Sequence, residues 1–165
     1  KGIPILGILP EDRSMLAPTV GDLAKHLSAE YLSSPEKSDE LVEHIMTGGW
    51  FLDHGSYVFS RRDRKAVVTK GDRPDIQMAA LKTSTVCLVL TAGQFPIQYV
   101  TTQAEHEGIP ILLVETSTIE TLEKLNSLAD TTSVYTPQKT QRFAQLLLEF
   151  CTQEFLRNFS QPPVE

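Results

Sequence analysis

Gly71, Asp72, Arg73 and Asp75, with Pro74 among them, are the residues of this sequence best placed to do chemistry. The apolar run from Ala66 to Val68 leads into them and the apolar-periodic run from Ile76 to Leu81 leads away, so they stand where a strand hands over to a helix. Gly71 releases the strand into a tight turn. Asp72 is spaced to cap the helix, with Asp75 three residues on to accept a return bond. Pro74 falls in the first turn, where its missing N–H costs nothing. Arg73 is the residue that a well-made turn leaves unexplained, because a guanidinium is unfavourable beside the positive end of a helix dipole. It either pairs with a carboxylate such as Asp75 or faces an anionic ligand or partner.

Two more junctions share this logic: Thr91-Ala92-Gly93, ahead of Gln94 and Pro96, and Glu115-Thr116-Ser117. Small and polar residues before helix N-termini leave backbone N–H groups accessible, and such donors favour anions. In an open parallel sheet, ligands sit beyond the carboxyl ends of the strands. The ligand-binding set read from the sequence is therefore Gly71, Asp72, Arg73, Asp75, Thr91, Ala92, Gly93 and Thr116, and two parallel strands should deliver Arg73 and Gly93 to one edge.

Other chemistry has little support. His26, His44, His54 and His106 form no metal-ligand motif with Cys, Asp or Glu, so no metal is expected. The Gly-rich phosphate loop and the dinucleotide glycine fingerprint are both absent, and no cofactor is expected. No catalytic residue is assigned. The alternative is a small-molecule enzyme built on His54, which stands near Asp53 and Ser56, with Arg73 and the Thr91-Ala92-Gly93 turn. His106 reads as a cation at a helix C-terminus. Arg61, Arg62, Arg64 and Lys65 form the one tight basic cluster and read as a solvated turn. The loop from Glu11 to Arg13 reads as a salt-bridged acidic–basic turn.

The whole chain bounds these readings. Its 165 residues fit one domain with a sizeable core, and 41% hydrophobic residues is ordinary globular composition. A net charge of −6 argues against a nucleic-acid surface. No apolar stretch approaches the roughly 18–20 residues a membrane helix needs. Cys87 and Cys151 make neither a disulfide framework nor a metal site, so a cytoplasmic origin is the natural expectation. A start at Lys1 rather than Met points to an upstream region.

The elements that must position the site follow from periodicity. Ile3 to Pro10 reads as a strand. Thr19 is placed to cap a helix over "VGDLAKHL", with Asp22 closing a capping box. "AEYL" is a short strand, "LVEHIMTGG" a strand ending at Gly48–Gly49, and "WFLDHGSYVF" a short helix or a returning loop. From Lys65 onward strand and helix alternate: "KAVVT", "RPDIQMAALKTS", "VCLVLTAG", "FPIQYVTTQAEHEG" with Pro96 in its first turn and Gly108 past its end, "IPILLVE", and "STIETLEKLNSL" capped by Ser117 or Thr118. Helices alternating with apolar strands predict a mainly parallel α/β sheet covered on both faces. The domain spans 1–135. A helix over 137–159 closes the chain, its apolar stripe (Phe143, Leu146, Leu147, Phe150, Cys151, Phe155, Leu156 and Phe159) suited to packing on the domain or pairing with a second subunit.

Taken in order, "LGILPEDR", "TVGDLAKHL", "VTKGDRPDIQMAAL", "CLVLTAG" and "GIPILLVETST" resemble the DRTGG domain. The match runs from about Ile3 to Ala129. The family's glycine-aspartate-arginine turn matches Gly71, Asp72 and Arg73, with the following aspartate at Asp75. Its threonine-glycine-glycine turn is met by Thr91, Ala92 and Gly93, so its middle glycine is alanine here. "MTGGW" near Gly48 also departs from the family's usual small-residue strand. This domain lies between a dethiobiotin-synthetase-like ATPase domain and the catalytic domain of long bacterial phosphotransacetylases, and beside CBS domains in some inorganic pyrophosphatases. It also forms the C-terminal part of two-domain proteins with the same ATPase-like N-terminus. Its fold is similar to the N-terminal domain of HPr kinase/phosphorylase. The resemblance implies a non-catalytic regulatory or interaction module, often dimeric. Such a module would sense a small anionic ligand or nucleotide for an attached, upstream ATPase-like domain.

Overall fold

The computed structural model describes residues 5, 7–48, 55–128, 135–152 and 157. The chain divides into two compact units, one drawn from residues 1–15 and 133–165 and the other Leu16–Thr132. In chain order the helices are α1 (Arg13–Leu16), α2 (Val20–Leu27), α3 (Gly55–Phe59), α4 (Pro74–Leu81), α5 (Gln98–Glu107), α6 (Thr118–Leu128) and α7 (Pro137–Phe150). The strands are β1 (Glu30–Ser33), β2 (His44–Thr47), β3 (Lys65–Lys70), β4 (Thr85–Thr91) and β5 (Ile111–Leu113).

The larger unit is an α/β sandwich. Its five strands lie in the order β1-β5-β4-β3-β2. β2, β3, β4 and β5 run parallel, and β1 closes the β5 edge antiparallel. Successive side chains of a strand point to opposite faces, and here both faces are apolar. Ala66 and Val68 of β3, with Cys87 and Val89 of β4, pack under α2 and α6. Val67, Leu88 and Leu90 pack on the other face under α3, α4 and α5. All seven of these strand residues have no accessible surface, each worth about 1.5–3 kcal/mol of burial for a full-sized side chain. That two-sided core is why the strands read as continuous apolar runs.

Local chemistry sets the element ends. Thr19 caps α2 as its spacing predicts. Its hydroxyl accepts from Asp22 N at 3.0 Å, and its own N–H donates to Asp22 Oδ2 at 2.9 Å. Gly108 ends α5 in the left-handed region at φ +64°. α5 itself starts at Gln98, so Pro96 lies two residues before it and not in its first turn. The short-helix alternative holds for the segment before β3, as α3. The basic run splits three ways. Arg61 and Arg62 are exposed. Arg64 pairs with Glu43 at 3.0 Å. Lys65 is buried, donating Nζ to the Ser84 carbonyl at 3.0 Å. Burial lowers the Lys65 pKa.

In the smaller unit Arg142 Nε donates to Asp12 Oδ2 at 2.6 Å, so the acidic–basic loop is salt-bridged as expected. Of the predicted first strand, the described residues make one isolated antiparallel bridge, Gly7 to Cys151. An apolar run becomes a strand only where a partner runs alongside it, and among the described residues one position is paired. α7 ends at Phe150 because Cys151 is extended, at φ −99° and ψ 154°, so the helix predicted over 137–159 is interrupted there. Phe155, Leu156 and Phe159 lie outside the described residues.

Candidate functional site

The turn after β3 is built by α4. Gln77 is fully buried, and its side-chain amide donates to the carbonyls of Lys70 at 2.8 Å and Gly71 at 3.0 Å. Gly71 has no room for a side chain. A Cβ there would overlap the carbonyl of Gln94, in the turn after β4. The two turns thus meet on one edge of the sheet, where parallel pairing of Lys70 with Thr91 delivers them.

Arg73, not Asp72, is the N-cap of α4, and it makes no side-chain capping bond. Pro74 takes the first helical position and holds the residue before it out of the helical region. The helix therefore starts one residue later than the capping-box spacing requires. Asp72 is left exposed outside it. Arg73 instead grips Asp75 with two parallel bonds, Nε to Oδ1 at 3.0 Å and Nη2 to Oδ2 at 2.8 Å. Those bonds hold the Asp75 carboxyl below its ordinary value and raise the Arg73 guanidinium.

The turn after β4 has a different use for its backbone. Ala92 and Gly93 are both left-handed, at φ +64° and +61°. Their N–H groups donate to the carbonyls of Thr116 at 2.8 Å and Val114 at 2.9 Å. The anion-accessible donors expected here are consumed by the segment just after β5. The three turns are also stitched by hydroxyls. Thr91 Oγ1 donates to the Thr69 carbonyl at 3.4 Å and meets Thr118 Oγ1 at 2.8 Å. Thr116 Oγ1 meets Thr121 Oγ1 at 2.8 Å. Ser117 caps α6 in a capping box with Glu120: Ser117 N donates to Oε2 at 2.9 Å and Glu120 N to Ser117 Oγ at 3.3 Å. These bonds lower the Glu120 pKa.

A cleft of about 380 Å³ opens at this edge, lined among the described residues by Gly48, Thr69, Lys70, Asp72, Arg73, Thr118 and Ile119. Of the residues singled out from the sequence, Asp72 and Arg73 line it and Asp75 reaches it through Arg73. Gly71, Thr91, Ala92, Gly93 and Thr116 interlock the turns beside it. Thr69, Lys70, Thr118 and Ile119 escaped sequence reading as site residues. Lys70 and Thr118 carried a signal, since each stands at a strand end or helix start. Ile119 carried none. His54, with Asp53, lies outside the described residues. His106 is exposed at the end of α5, 3.6 Å from Glu107. Among the described residues no three His, Cys, Asp or Glu side chains are grouped to hold a metal, and no helix is long and apolar enough to cross a membrane.

The chain is 33% identical over 135 residues to the phosphate acetyltransferase of Nitratidesulfovibrio vulgaris, which covers 73% of this chain and 18% of that protein. It is 27% identical over 133 residues to the Escherichia coli phosphate acetyltransferase, covering 76% of this chain and again 18% of the relative. The chain thus spans under a fifth of the length of these two relatives. Among solved structures it is similar to the CBS and DRTGG domains of the regulatory region of Clostridium perfringens pyrophosphatase, complexed with its activator diadenosine tetraphosphate. That likeness has a TM-score of 0.60 at 16% identity and covers 76% of this chain and 53% of the other, so it speaks for the fold. The family model of the DRTGG domain matches residues 22–128. The matched span lies within the α/β unit and contains all three interlocked turns, while "LGILPEDR" falls outside it. By that match, the chain belongs to the DRTGG domain family.

Proposed function

We propose that this chain is a non-catalytic regulatory module that senses a small anionic ligand or nucleotide at the carboxyl edge of its sheet. The observation that carries the reading is the cleft between the turn after β3 and the start of α6, with Lys70 and Arg73 on its wall. The edge is where open parallel sheets bind ligands, and its walls are rigidly tied, so a ligand there meets a preformed surface. The regulatory region of the pyrophosphatase, which pairs the same family of domain with CBS domains and carries a nucleotide activator, supports a sensing role. An attached ATPase-like domain is the partner that the family resemblance implies. Exposed Phe143, Leu148 and Phe150 on α7 support a homodimer.

A thermal-shift series with nucleotides and small phosphorylated or carboxylated compounds tests the sensing role. A ligand that binds the folded state raises the melting temperature with concentration. A flat response across the series rejects it. Sedimentation equilibrium at micromolar protein reads the dimer, and a monomer at every concentration rejects that part.

A further inference from the structure

We propose that the cleft accepts a single phosphoryl group and discriminates against polyphosphates; this rests on the reading of the cleft as a ligand site. Four observations converge on it. The first is charge. Lys70 and Arg73 supply two positive charges, and Asp72 and Asp75 supply two negative ones. Arg73 is already gripped by Asp75, so among the described lining residues Lys70 is the cation whose charge remains for a ligand. With Arg73 neutralised in its pair, the charge of Lys70 compensates one phosphoryl group, and the carboxylate of Asp72 repels each further one.

The second is the start of α6. The capping box uses the N–H groups of Ser117 and Glu120, and Thr121 N donates to the Ser117 carbonyl at 2.9 Å. Among the described residues, the first-turn donors left over are those of Thr118 and Ile119, and these two residues line the cleft. Such donors, at the positive end of an eleven-residue helix, suit phosphate oxygens. The third is Thr69, which lines the same cleft. Its side chain is fully buried and, among the described residues, its hydroxyl has no hydrogen-bond partner. Buried hydroxyls are almost always satisfied, so an unpartnered one at a cleft marks a group awaiting an acceptor. The fourth is Ile119, 71% exposed on the rim, which gives an apolar wall to whatever the phosphate carries.

Isothermal titration with inorganic phosphate, phenyl phosphate, pyrophosphate and tripolyphosphate at constant ionic strength tests this. Phosphate and phenyl phosphate should bind, phenyl phosphate the tighter, with no gain along the polyphosphate series. Lys70→Gln should weaken phosphate binding about tenfold, the loss of one charge-assisted contact. Lys82→Gln, at the far end of α4, should leave it unchanged. Thr69→Val should melt higher than the wild type without ligand, yet bind phosphate at least threefold more weakly. Tenfold tighter binding of tripolyphosphate, or phosphate binding untouched by Lys70→Gln, overturns the inference while leaving a ligand site in place. If none of the four binds but a nucleotide or carboxylate does in the broader series, the phosphoryl assignment fails alone. If nothing binds in either series, the sensing role fails with it.

Discussion

The turns after β3 and β4 look alike in sequence and behave differently in the fold. Each follows a buried strand with a threonine near its end, a glycine and then a proline before a helix. Yet the β4 turn spends its backbone donors on the residues just after β5, while the β3 turn is held through its carbonyls by Gln77 and faces a cleft. The difference comes from position in the sheet. β4 has β5 beside it, and Val114 and Thr116, just after β5, accept the donors of its turn. β3 has the short edge strand β2 on its other side.

The largest test of this contrast is the pair Gly71→Ala and Gly93→Ala. At Gly71 the new Cβ meets the Gln94 backbone, which cannot yield without moving the turn, so a loss of about 3 kcal/mol is expected. At Gly93 it meets the Glu115 carboxylate at 2.5 Å, the far end of a flexible side chain. There the cost is mainly left-handed strain, about 1 kcal/mol. Chemical denaturation reads both, and equal losses would break the distinction between a wedged turn and a strained one.

A smaller effect of opposite sign is expected at Ala92. This alanine sits at φ +64°, where the family turn has glycine. Ala92→Gly relieves that strain but loosens the unfolded chain, for a net gain of about 0.5–1 kcal/mol. Because this turn is not among the described residues that line the cleft, phosphate affinity should stay unchanged. A change in affinity would show that the two turns share one site.

Arg73→Ala should have the smallest effect on stability, under about 1 kcal/mol at neutral pH, because the pair with Asp75 is about one-third exposed. Its pH dependence has a definite sign. The Asp75 carboxyl is held below its ordinary 3.8 in the folded chain, so the unfolded chain binds that proton more readily. The increment is complete above that ordinary value and is lost as pH falls through the lower folded one. Denaturation of wild type and variant at neutral pH and in acid should therefore show the gap closing in acid. A gap that persists there would assign Arg73 a role beyond its pair with Asp75.

The two capping segments show how far local spacing reaches. Thr19 and Asp22 form the box that their spacing predicts. Asp72 and Asp75 have the same separation, yet Pro74 shifts the helix start and Arg73 takes Asp75 for itself. A cap is a matter of two residues and one dihedral, so one proline rewrites it. At the other end of the chain, the apolar stripe after Phe150 fits a continuing helix, but Cys151 leaves the helix to bridge Gly7. Periodicity cannot report a partner more than a hundred residues away.

The sequence by itself determined the α/β class, the parallel running of the strands from Lys65 onward and the edge to which the turns are delivered. Those follow from fully apolar strands alternating with helices, a pattern only a two-sided sheet can bury. What the tertiary structure alone decided is which turn donors remain unspent. Ala92 and Gly93 lost theirs to the residues just after β5, and among the described residues Thr118 and Ile119 kept theirs because the Ser117–Glu120 box needed only its own two. Each backbone donor forms its bond with whatever acceptor packing brings within about 3 Å, and that distance is set by the stacking of strands, not by the residues that carry the donors.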